Sequence, residues 1–138
     1  MKKLSRILPI LFIFSLLLSS CQDKKKASFE KVREGVRMVY RNDNAGAKKL
    51  FNEAIELDPE NAEAWYQRAN TYADEGNFDQ ALSDYNEAIW LKPTYADAYF
   101  NRGLVKKYMG NEEGACADFR KAHDLGKENI VDYFKHCP

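Results

Sequence analysis

Three cysteines, two histidines and 21 carboxylates are the residues of this chain best equipped for chemistry. Cys116, His123, His136 and Cys137 have the ligand types of a tetrahedral zinc site. Their spacing lacks the short CxxC or HxxxH pairs that hold two ligands on one turn, so no metal site is expected. The acids Glu53, Glu56, Asp58, Glu60 and Glu63 lie close in sequence, but solvated helix faces and helix starts account for them. There is no glycine-rich phosphate loop, no HExxH and no GxSxG. A catalytic site needs polar groups converging in a water-poor pocket, and no pattern here supplies them. The expectation is a chain without enzymatic activity, cofactor or small-molecule substrate.

The charge balance excludes a further class. Basic and acidic side chains are equal at 21 each, whereas nucleic-acid binders carry a basic excess. Part of the balance comes from Lys2, Lys3 and Arg6, which precede a twelve-residue apolar run from Ile7 to Leu18. That run contains Pro9 and is shorter than the roughly 20 residues a spanning helix requires. It reads as a targeting segment. Leu18-Ser19-Ser20-Cys21 follows, and a secretory cut after Ser20 would place the large Leu18 where a small residue is preferred.

The quartet instead resembles the lipobox of bacterial lipoproteins. The resemblance implies that residues 1–20 are a signal peptide, that Cys21 is acylated, and that the mature chain begins there. From Cys21 onward the formal side-chain charge is about −3, too mild to name a partner. Two or three acyl chains would anchor the protein durably, because each buried CH₂ contributes about 0.8 kcal/mol. Residues 21–27 read as a short polar tether whose lysines are solvated or touch anionic headgroups. The lipoprotein resemblance places the chain in the bacterial cell envelope. Gln22 is not the aspartate that retains some such lipoproteins at the inner membrane, which points to the outer membrane with the folded part in the periplasm.

The remaining chain repeats with a period of 34. Ala47, Ala81 and Ala115 are so spaced, as are Phe51, Tyr85 and Phe119, and Ala54, Ala88 and Ala122. Leu57, Leu91 and Leu125 follow suit, and Gly35, Ala69 and Gly103 form a further small-residue column. Residues three or four apart share one helix face, so these columns are stripes on paired helices. Gly76 and Gly110 fit the left-handed position after a helix, and Pro59 and Pro93 end one helix and set the next.

With Trp65, Ala69, Tyr72, Gly76-Asn77, Ala81, Tyr85, Ala88 and Pro93 in register, the middle unit resembles the tetratricopeptide repeat. The resemblance implies an all-α, right-handed solenoid of three helix-turn-helix units, 28–61, 62–95 and 96–129. The outer units depart from the pattern. Lys31 stands for Trp65, Asn42 for the turn glycine, and Lys106 for Tyr72. Ile130, Val131, Tyr133 and Phe134 fall at helical spacing, so residues 128–136 are expected to form a capping helix. Cys116 and Cys137 either form a bridge closing a loop of about 20 residues, worth roughly 3 kcal/mol, or stay as separate thiols.

In solenoids of this family the first helices line a concave face that holds protein partners. Carried over by position, the partner-binding residues are Arg33 and Tyr40, then Tyr66, Gln67, Asn70 and Asp74, then Phe100, Asn101, Leu104 and Tyr108. Tyr66 and Phe100 fit packing between units equally well. Some members grip a C-terminal carboxylate with lysines and asparagines. Asn70 and Asn101 resemble the asparagines, but Tyr66 and Phe29 stand where lysine or another polar group is wanted, so carboxylate capture is not expected. The reading is a membrane-anchored adaptor holding a partner peptide or helix. The alternative is a structural accessory subunit of an envelope assembly that uses its convex or end faces.

Overall fold

The computed structural model describes the backbone of residues 7–137 and side chains from Gln22 onward. Residues 1–6 and the side chain of Cys21, with the acylation expected there, lie outside the described residues. Among the described residues six α-helices follow in order: α1 (Ile7–Tyr40), α2 (Asn44–Leu57), α3 (Ala62–Asp74), α4 (Phe78–Leu91), α5 (Ala96–Tyr108) and α6 (Glu112–Asp124). They form three antiparallel-type hairpins, α1 with α2, α3 with α4 and α5 with α6, each stacked on the next. Among the described residues no strand occurs, and no helix is long and apolar enough to cross a membrane.

Local chemistry sets the helix ends. Asp43, Asn61 and Asn111 accept backbone N–H bonds from the first turns of α2, α3 and α6. Gly76 and Gly110 take φ of 76° and 80° in the turns inside the second and third hairpins, and Asn42 takes 59° in the first. Asparagine tolerates this left-handed conformation better than most residues, so it replaces glycine there.

The 34-residue columns become the core. Phe51, Tyr85 and Phe119 are fully buried, flanked by Ala47, Ala54, Ala81, Ala88, Ala115 and Ala122. Gly35 and Gly103 lie against the rings; an added Cβ would sit 2.5 Å from Phe51 and 2.7 Å from Phe119. The small-residue column is thus the price of large rings in the neighbouring helix.

Between hairpins the joint is polar and repeated. Arg68 donates two hydrogen bonds to Asp84 in its own hairpin, at 2.7 and 2.8 Å, and a third to Asn52 in the preceding one at 2.6 Å. Thirty-four residues on, Arg102 does the same with Asp118 and Asn86. Lys106 adds a second cation to Asp118 at 2.8 Å. The next position in the asparagine series is occupied by Arg120.

Residues 22–27, expected as a polar tether, continue α1 as helix, with 22–26 exposed. The segment lacks glycine and proline, and the anchored helix beyond it propagates backward; Ser28, fully buried, bonds the Ala54 carbonyl and receives a bond from Asn61. Residues 128–136 are not a capping helix. Only Val131–Tyr133 forms a single 3₁₀ turn. Gly126 and Asn129, at φ of 93° and 59°, break the helical path. Ile130 is buried while Val131 is half exposed, and Tyr133 lies edge-on to Phe100 at 4.9 Å. Cys116 and Cys137 form a disulfide with Cα atoms 5.9 Å apart, fastening this segment to α6.

Candidate functional site

The first helices of the hairpins, α1, α3 and α5, lie side by side and present one face. A chain of hydrogen bonds crosses its floor. Tyr95 donates a short bond to Glu63, and Glu63 accepts from Gln67 at 2.7 Å. The Asn70 carbonyl accepts from Tyr85 at 2.7 Å and from Asn101 at 2.9 Å; Asn101 also donates to the Tyr66 hydroxyl at 3.1 Å. Both amide protons of Asn101 are used, as are both lone pairs of the Asn70 carbonyl, which leaves the Asn101 carbonyl open to a ligand. Burial raises the hydroxyl pKa of Tyr66, Tyr85 and Tyr95, so all three stay protonated well into the alkaline range. For Tyr95 the bond to Glu63 pushes in the same direction.

Above this floor lie three recesses. The central one, 540 Å³, is lined by Gln67, Asn70, Asp74, Asn101, Leu104 and Tyr108, with Val39, Ala73, Phe78, Tyr85 and Val105 completing it. Toward α1 a second recess of 470 Å³ is lined by Phe29, Val32, Arg33, Val36, Arg37, Glu63 and Gln67. At the C-terminal rim a third, 550 Å³, is made by Leu104, Lys107, Tyr108, Glu112 and Tyr133. The recesses adjoin, since Gln67 lines the first two and Leu104 with Tyr108 line the first and third; together they are the trough.

Seven of the ten residues expected on the concave face therefore line the trough. The other three do not. Tyr66 packs within its own unit, its ring 4.7 Å from Tyr95 and 6.1 Å from Tyr85, and its hydroxyl accepts from Asn101 of the next. Phe100 is covered by Tyr133 and Phe119 and carries the Lys127 ammonium over its face. Tyr40, 85% exposed, stands clear of all three recesses. Phe78 was not expected, because it opens α4, a second helix. Its ring stacks on Tyr108 at 5.9 Å and 13°. The 34-residue register could have flagged it, since Glu112, at the equivalent position, also lines the trough.

A fourth recess of 380 Å³, lined in part by Asn52, Arg68 and Asp84, lies along the polar joint and belongs to it. Among the described residues no group of three or more side chains is placed to hold a metal ion.

No curated protein matches the sequence significantly. Family models do. A TPR repeat model matches residues 69–110, and tetratricopeptide repeat models match 50–83 and 96–125. Among solved structures, the Arabidopsis OM64 TPR domain aligns with a TM-score of 0.77 at 25% identity, covering 81% of this chain and 94% of that one. The first TPR of Spaghetti (RPAP3), bound to the HSP90 peptide SRMEEVD, gives 0.76 at 21% identity, covering 80% and 90%. The TPR2B domain of yeast Sti1, in a pHsp70 complex, gives 0.74 at 23%, covering 80% and 94%. Three in-register helical hairpins and three repeat-model matches lead to one conclusion: this chain is a tetratricopeptide-repeat protein.

Proposed function

We propose that the protein is a lipid-anchored adaptor whose trough holds an extended or helical segment of a partner protein. The observation that carries this reading is the row of adjoining recesses along the inner helices. It combines exposed apolar surface, with Tyr108 at 79% exposure, and amide groups already aligned by the floor network. Aromatic rings supply contact area at low entropic cost, and amides bond a peptide backbone. Peptide binding by domains of the same fold, such as the RPAP3 domain with SRMEEVD, supports it. The lipobox resemblance at Cys21 supports the anchor, and the envelope location rests on the same resemblance.

One observation favours the alternative of an accessory subunit. Trp90 on α4 is 75% exposed and lines none of the three trough recesses. Photo-crosslinking in intact cells separates the two. A crosslinker at Tyr108 is expected to capture the partner, and one at Trp90 is not; the reverse pattern supports the accessory subunit. Replacing half-buried Leu104 and exposed Tyr108 by alanine is expected to weaken capture at least tenfold, about 1.4 kcal/mol, with helicity unchanged. For the anchor, mass spectrometry should find an acylated Cys21, and Cys21→Ala should leave the membrane fraction.

A further inference from the structure

We infer that the central recess recognises a basic side chain, lysine or arginine, on the partner segment. The inference deepens the trough reading and rests on it. The only charged residue lining this recess is Asp74. Its carboxylate is exposed and enters no salt bridge among the described residues. Beside it stand the stacked rings of Phe78 and Tyr108, the latter largely open to solvent.

A carboxylate next to an open tyrosine ring is the chemistry that receives a cation with an apolar stem. The ring face attracts the charge, the carboxylate pairs with it, and Leu104 covers the methylenes. The Asn101 carbonyl, left open by the floor network, adds an acceptor, which a guanidinium or ammonium can use and a carboxylate cannot. No basic residue lines the central recess. Lys106 pairs with Asp118, Lys107 lines the rim recess, and Arg33 and Arg37 line the recess toward α1. An acidic side chain would therefore enter the central recess against Asp74 without compensation.

The test is selection of a random peptide library against the full chain in detergent, in parallel with Asp74→Lys and Leu104→Ala. Asp74 is exposed at the last position of α3, where lysine is compatible with the helix end, so the first variant should fold. On the native chain Lys and Arg should be enriched roughly three- to tenfold, as expected for an exposed cation–ring contact with one charge pair. On Asp74→Lys that enrichment should vanish or give way to Asp and Glu. A native-chain set without basic excess, or an unchanged set on Asp74→Lys, overturns the inference. If Leu104→Ala then still selects a different set, the trough reading survives alone. Selection of the same set on Leu104→Ala, or of no set on any protein, overturns the trough reading as well.

Discussion

Arg68 and Arg102 occupy equivalent positions in the polar joint, yet their carboxylate partners are not equally supported. Asp84 is nearly buried and relies on Arg68, whereas Asp118 keeps Lys106 when Arg102 is removed. Arg68→Met should cost about 3 kcal/mol, the penalty for stranding a largely buried charge. Arg102→Met should cost roughly half that, because one charge-assisted bond remains. Urea unfolding of the two variants checks the order, and equal losses would show that Lys106 does not compensate. None of this pairing was anticipated from sequence. Arg68 and Asp84 lie sixteen residues apart on different helices, and only the packed hairpin brings them together. The same limit applied to Tyr66 and Phe100. Their spacing placed them on the inner helices, but that Tyr85 and Tyr95 cover one ring and Phe119 and Tyr133 the other depends on tertiary packing.

Elements were far more legible, because helix pairing follows from side-chain size recurring at a fixed period. The alanine columns, the buried rings and the left-handed turns at Asn42, Gly76 and Gly110 all stand where the register placed them. Gly103→Ala probes that logic. Alanine is the better helix former by about 1 kcal/mol, but its Cβ would press on Phe119 at 2.7 Å. A net destabilisation of about 1–2 kcal/mol is expected from overpacking, measurable by thermal unfolding. A rise in melting temperature would mean that the ring moves aside freely. The C-terminal segment was misread for a clear reason. Apolar residues at helical spacing describe a helix only where the backbone is free to wind, and Asn129 and the disulfide hold it otherwise.

For the molecule as a whole, the C-terminal segment covers the open face of the last hairpin with Ile130 and Tyr133. Cys137→Ser should lower stability by about 3 kcal/mol in the chain-entropy model. Adding a reductant should lower the melting temperature of the native chain and leave that of the variant unchanged; an unaffected native chain would sink this assignment. A second consequence follows from the polar joint. Arrays of equivalent units lengthen readily by duplication, since every junction reuses the same contact. The asparagine contact serves both junctions between the three hairpins, at Asn52 and Asn86. Because the joint is the same at each junction, selectivity for a guest has to come from the inner-face residues that differ from unit to unit.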